Sequence, residues 1–198
     1  ETIAAAGAGS GVDPLTTDVP SGLDREVLRL TEQVTEGTST AGEAALEIQR
    51  FLRSEAFEYS FSAPASTGMD ALSAFLLSSR KGYCIHFAAA MVTMARIEGI
   101  PARMAVGFTP GERQEDGSYE VTAHDAHAWP ELFLDGLGWV PFEPTPAYAG
   151  NPEVTDPAGP QPTETPSATP SATPTDAEPA LPTETPSPTT TAAPPTTP

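Results

Sequence analysis

Cys84 is the only cysteine in 198 residues, and it heads an apolar run, Gly82-Tyr83-Cys84-Ile85-His86-Phe87-Ala88-Ala89-Ala90-Met91. About forty residues further on comes Asp125-Ala126-His127-Ala128-Trp129. A thiol with no partner for an internal disulfide, placed where a helix begins and followed by a histidine, is a candidate nucleophile with a candidate base. The first turn of a helix offers unpaired N–H groups and the positive end of the macrodipole. Both favour a thiolate, and the N–H groups can also hold an oxyanion. Gly82 is expected to let the chain turn sharply and to let a substrate approach. A buried cysteine that packs as a small apolar side chain fits the same position, and position alone weighs the two readings about equally.

Three histidines are available: His86, His124 and His127. His86 lies two residues beyond Cys84 on the same helix, so its ring points to another face and reads as structural. His124 and His127 flank the entry to a strand. Three apart in extended chain, they face opposite ways, so at most one meets the thiol. A third group is needed to orient the imidazole. The hairpin from Ala128 to Phe142 returns Glu143 to within a few rungs of His127, with the register open. Glu143 as a surface carboxylate at a strand end is the alternative. Asp125 is a rival, but it is two residues from His127 and more naturally caps a turn. A zinc site built from Cys84, His86, His124 and His127 has poor local spacing for one centre.

The elements that must position these groups follow from periodicity. A helix is expected from about Leu23 to Glu36, with Val27, Leu30 and Val34 on one face and Gly37 as its stop. A second should start after Thr40, with Glu43 completing a capping-box pattern and Ala44, Ile48, Phe51 and Leu52 as its stripe. A short extended piece, residues 57–61, and a third helix near Asp70–Ser78 come next. The fourth helix, Cys84 to about Glu98, is apolar almost all round and hence central; it stops at Gly99 with Pro101 beyond. Strands are expected at Arg103–Phe108, Tyr119–Ala123, Ala128–Leu134 and Trp139–Phe142, with turns at Asp116-Gly117 and Asp135–Gly138. Helices followed by a strand meander make an α+β fold, an antiparallel sheet packed on the central helix.

Composition bounds the rest. Residues 1–20 are rich in Ala, Gly, Ser and Thr and read as a flexible linker, residues 21–146 as one domain, and residues 147–198 as a disordered Pro/Thr-rich linker or stalk. The net charge of -18 argues against nucleic acid and against an anionic membrane surface as partners. No apolar run is long enough to span a bilayer, and a chain that opens on Glu1 reads as a piece of something longer.

Four stretches in order, Gly82–Ala88, Gly99–Arg103, Asp125–Trp129 and Gly138-Trp139-Val140-Pro141-Phe142-Glu143-Pro144-Thr145, resemble the core of transglutaminase-like cysteine enzymes. The likeness is greatest to the bacterial membrane-anchored branch, whose domain lies outside the cell between transmembrane segments. The resemblance covers about Phe57 to Pro146. It implies a papain-like α+β fold and a Cys-His-Asp triad with no cofactor and no metal. Carried over, Cys84 is the nucleophile, His127 the base, and Glu143 the acid where the family has Asp. Tyr83 and Trp129 are candidate substrate contacts. The implied reaction is attack on an amide or peptide bond through a thioester. Hydrolysis is favoured over crosslinking, since no acyl-acceptor feature is visible. The implied partner is a peptide or protein such as a cell-envelope peptide, and the implied place is the extracytoplasmic part of a membrane-anchored protein. A non-catalytic binding or scaffold module of the same fold is the alternative.

Overall fold

The computed structural model describes residues 2–62 and 68–146. Its elements run α1 (Arg25–Val34), α2 (Ala41–Leu52), β1 (Glu58–Tyr59), α3 (Met69–Ala74), β2 (Lys81–Gly82), α4 (Cys84–Ile97), β3 (Ala102–Phe108), β4 (Glu112–Arg113), β5 (Tyr119–Glu120), β6 (Ala126–Leu134) and β7 (Gly138–Pro141). The fold is α+β. One antiparallel sheet has the order β3-β6-β7, and α4 packs between it and the other helices. The expectation for residues 147–198 lies outside the described residues.

The Asp24 side chain accepts from the Glu26 N–H and starts α1, a cap not singled out from the sequence. The expected start of α2 acts as read. Thr40 Oγ1 accepts from the Glu43 N–H at 3.1 Å, and Glu43 reaches back to the Ser39 N–H at 2.7 Å, one residue earlier than a standard capping box. Ala44, Ala45, Ile48 and Leu52 of α2 are buried against α4. On α4 the buried set, Phe87, Ala90, Met91, Met94 and Ala95, wraps the helix, as its continuous apolarity requires. Thr31 is also fully buried; its hydroxyl donates to the Val27 carbonyl four residues back.

Three expectations need correction. The third helix breaks at Ala74 into a π-turn, Phe75–Ser79, that ends at Arg80 with φ 50°. The strand expected over Tyr119–Ala123 is two residues long and pairs only with β4, because Thr122 and Asp125 cap a 3-10 turn over Ala123–Asp125. Residues 2–11 are not a loose linker: Ala6 is buried, and its carbonyl accepts from the Gly42 N–H at 2.9 Å. The Gly9 N–H donates to the Phe133 carbonyl, and the Asp135 N–H donates to that of Gly7. The segment thereby ties α2 to the β6–β7 turn.

Glycine makes that tie possible. A Cβ on Gly42 would lie 1.7 Å from the Ile3 carbonyl oxygen. Gly42→Ala should therefore destabilise the chain by roughly 1–3 kcal/mol in chemical unfolding, the range for overpacking. In a chain lacking residues 1–10 the same change should stabilise by about 1 kcal/mol, since Ala is the better helix former. Equal effects in both backgrounds would mean the N-terminal segment does not press on α2.

Candidate active site

Cys84 is the first residue of α4, with Tyr83 at the N-cap in extended backbone. The start is held by His86, three residues past the cap, whose Nδ1 accepts the Tyr83 N–H at 3.3 Å. Its ring meets Tyr83 edge-on and also contacts Phe75. Burial pushes the His86 pKa down, which suits a ring that accepts a hydrogen bond at the positive end of a helix. Gly82 has a role other than the expected sharp turn. It is not among the residues with positive φ, but a Cβ there would lie 2.7 Å from His86 Cβ and 2.9 Å from the Phe75 ring. The glycine makes room for the histidine that fixes the helix start.

His127 reaches the thiol from β6, where Gly107 stands opposite it on β3. Its Nε2 lies 2.5 Å from Glu143 Oε2, and the same ring hydrogen-bonds the Cys84 sulfur, which leaves Nδ1 as the nitrogen facing the thiol. The His127 and Glu143 side chains are 7% and 11% exposed, so the pair is shielded from solvent. The Trp129 ring stacks on the imidazole, with centroids 6.2 Å apart at 19°. Trp129 in turn lies over Gly107, where a Cβ would meet its ring at 3.0 Å.

Register brings Glu143 here. Leu132 pairs with Val140 and Glu131 with Pro141, and the Phe142 N–H donates to the Pro130 carbonyl. The paired register of β6 and β7 ends at Glu131 and Pro141. The Ala128 N–H turns to the Cys84 sulfur, as does the Ile85 N–H of the first helical turn. Glu143 is clamped twice more. Its N–H donates to Gln49 Oε1 of α2 at 2.9 Å, and its Oε1 accepts the Thr145 N–H at 2.9 Å. Nothing local in α2 marks Gln49 for this role; it is a polar residue beside Ile48, and its partner is 94 positions away.

The electrostatics favour charge separation. Burial pushes the Cys84 thiol up, but the His127 hydrogen bond, the Ala128 and Ile85 N–H groups and the His127 charge outweigh it, and the net shift is downward. His127 is pushed up to about 9, first by Cys84 and then by Glu143. Between the two titrations the pair stands as thiolate and imidazolium.

The other sequence candidates fall elsewhere. His124 is exposed in the 3-10 turn, and Asp125 caps that turn, while the carboxylate bonded to His127 is Glu143. Cys84, His86, His124 and His127 do not converge, and the described residues contain no group of three or more His, Cys, Asp or Glu arranged to hold a metal ion. Tyr83 packs half-buried against Cys84 and Ala128. A cleft of about 230 Å³ opens beside His127 and Glu143, walled by Phe108, Pro110, Trp129 and Pro141. Phe108 and Pro110 were not anticipated; their signal was an exposed aromatic at the end of a strand, followed by Thr-Pro-Gly.

The transglutaminase-like superfamily model matches residues 28–144. The chain is 34% identical over 145 residues to YebA of Bacillus subtilis (strain 168), an uncharacterized protein, covering 69% of this chain and 20% of that one. It is 42% identical over 99 residues to a protein-glutamine gamma-glutamyltransferase of Pseudomonas aeruginosa, covering 50% of this chain and 14% of that one. The chain thus spans a fifth or less of these relatives. The periplasmic domain of TgpA from Pseudomonas aeruginosa, solved with ethylmercury bound, superimposes with a TM-score of 0.60 at 29% identity, over 68% of this chain and 50% of that one.

Two pH effects follow from the directions of these shifts. Iodoacetamide should modify Cys84 at a lower pH than it modifies an ordinary thiol. His127→Ala should move the midpoint of the rate–pH curve upward; an unmoved midpoint would mean that His127 does not set the thiolate. Turnover that needs the imidazolium should fall as pH rises through about 9, where His127 loses its proton.

Proposed function

Because this chain belongs to the transglutaminase-like superfamily, we propose that it is an acyl-transfer enzyme that works through a thioester on Cys84, with His127 as general acid and base and Glu143 as the residue that orients and charges the imidazole. The observation that carries this reading is the continuous hydrogen-bonded line from Cys84 through His127 to Glu143 at the start of a buried helix. Members of the superfamily include cysteine enzymes, and the Pseudomonas relative is named for acting on protein glutamine.

The steps are as follows. The Cys84 thiolate adds to the amide carbonyl carbon of a donor, and the oxygen takes the charge. The N–H groups of Ile85 and Ala128, which already face the sulfur, are the donors we assign to that oxyanion. The C–N bond breaks as the His127 imidazolium gives its proton to the departing nitrogen, leaving a thioester and neutral imidazole. An acceptor then gives a proton to His127 as it attacks the thioester. The C–S bond breaks, and thiolate and imidazolium are restored. Glu143 favours the charged form of His127 throughout.

The acceptor decides between a hydrolase and a transferase. Sequence alone favours water. The named activity of the 42% identical relative favours an amine, and so does the apolar wall of the cleft beside His127. We therefore place a glutamine side-chain amide as donor and a primary amine as acceptor first, with hydrolysis as the competing outcome. The site of action we propose is outside the cytoplasm, supported by the periplasmic origin of the TgpA domain, with a membrane anchor supplied by segments beyond this chain. Among the described residues no helix is long and apolar enough to cross a membrane.

A glutamine-containing peptide incubated with a fluorescent primary amine tests both parts. Product mass separates transamidation from deamidation and backbone cleavage. Cys84→Ala should abolish all three. His127→Ala should lower kcat/KM by about 10²–10⁴-fold, the worth of a general acid–base group. Glu143→Gln should lower it at least about tenfold and bring the alkaline limb down, because the imidazolium loses a charged partner. Full activity in Cys84→Ala would exclude the acyl-enzyme, and an unchanged alkaline limb in Glu143→Gln would exclude the acid.

A further inference from the structure

β3 is the edge strand of the β3-β6-β7 sheet. Edge strands present unpaired backbone groups, and proteins normally blunt them with charge, proline, bulges or a cover. The phase of the β3–β6 ladder shows which groups are free. The Phe133 N–H donates to the Pro101 carbonyl, and the Thr109 N–H donates to that of Asp125, so the odd-numbered residues of β3 bond to β6. The N–H and C=O of residues 102, 104, 106 and 108 therefore point away from β6. At one end this row is closed: Arg96 Nε and Nη2 donate to the Ala102 carbonyl at 3.0 and 2.8 Å. From Met104 to Phe108 nothing among the described residues closes it.

The side chains on that open stretch are apolar and solvent-facing, Met104 at 38%, Val106 at 74% and Phe108 at 60% exposure. The one charged residue of the strand, Arg103, turns to Glu131 and the Trp139 ring instead of guarding the edge. The stretch also has a destination, since Phe108 is itself a wall of the cleft that holds His127 and Glu143. A chain that paired with the edge would continue into the cleft beside the proposed base.

We propose that the β3 edge from Met104 to Phe108 is the docking strand for the peptide substrate, which adds to the sheet as an extended strand rich in apolar and basic residues and lays an apolar side chain in the Phe108–Trp129 cleft. This rests on the acyl-transfer reading above and names the substrate's form. Strand addition takes its affinity from main-chain bonds and its selectivity from alternate side chains. Charge favours a basic occupant, since 27 carboxylates face 9 Lys and Arg in this chain. The chain's own residues after Pro146 are poorly suited to the edge: they carry six carboxylates, no Lys or Arg and fourteen prolines, and proline cannot donate to a ladder.

Amide hydrogen exchange on the 198-residue Cys84→Ala chain tests this, with a nine-residue peptide that alternates valine and lysine around one glutamine as the probe. The peptide should protect the amides of Met104, Val106 and Phe108, while their odd-numbered neighbours are already slow without it. In the active chain, Val106→Pro removes one outward N–H where an edge tolerates proline. It should raise KM for the nonapeptide about fivefold to tenfold relative to KM for a single blocked glutamine amide, the effect of one main-chain hydrogen bond. No protection up to millimolar peptide, or an unchanged KM ratio, overturns the proposal. So does protection already present in the free chain: independent of concentration it means another segment of the chain covers the edge, and concentration-dependent it means a second copy does. If the wild-type chain turns over neither substrate, the acyl-transfer reading fails, while the exchange result still decides the docking strand.

Discussion

The first turn of α4 lies against β6 through small side chains: Cys84, Ala88 and Ala128 form one buried cluster, with Tyr83 packed half-buried against it. That closeness is the constraint on which the site depends. A sulfur can hydrogen-bond an imidazole on a neighbouring strand only if the two backbones approach closely, and Ala88 and Ala128, both buried, permit it. The rest of the fold maintains the approach. Phe87 and Met91 anchor α4 in the main core on its other sides, and His86 with Gly82 fixes where the helix begins. A shift of one residue in that start would turn the thiol about 100° away from β6.

Electrostatics then act on a geometry already set. His127 and Glu143 form a shielded ion pair, which is weak evidence for stability, because both charges have lost water. What the pair does firmly is choose a protonation state. The folded-state pKa of His127 is raised from 6.5 to about 9, so its pairing stabilises the fold fully below about pH 6.5 and is lost as pH rises through about 9. Cys84 is shifted the other way, despite burial, by groups that come from two different elements: the Ile85 N–H from α4 and the Ala128 N–H and His127 from β6.

The parts of this arrangement legible in the sequence are those encoded locally. The cap at Thr40, the left-handed stop at Gly99 and the apolar wrap of Cys84–Ile97 are local signals, and all of them act as read. Residue type and the family resemblance point to the line from Cys84 to His127; the course of the hairpin brings Glu143 near with its register open, and it is the resemblance that singles out Glu143 over Asp125. Small residues were misread. Ala, Gly and Ser in residues 2–11 have the composition of a linker, yet smallness also allows close packing. Gly9 sits under the Phe133 ring and Gly42 against the Ile3 carbonyl. Composition cannot separate these cases, because what differs is the partner and not the residue. Gln49 was invisible for the same reason: its significance is a contact 94 positions away.

Glu143 stands where the resemblance calls for aspartate, and the surrounding bonds show how the longer acid is accommodated. Glutamate has one more rotatable bond than aspartate, and freezing it costs on the order of half a kcal/mol. Left free, the carboxylate would sample positions that do not meet Nε2. Two groups act against this. The Thr145 N–H holds Oε1 while Oε2 takes the imidazole, so both oxygens are engaged, and the Gln49 side chain holds the Glu143 N–H. A hydrogen bond to a charged group contributes about 1.5–3 kcal/mol, more than the added freedom removes. The methylene is therefore offset by a clamp made within the Glu-Pro-Thr turn and by a second from α2. A glutamate so held presents one fixed oxygen to His127, which is the property an orienting acid needs.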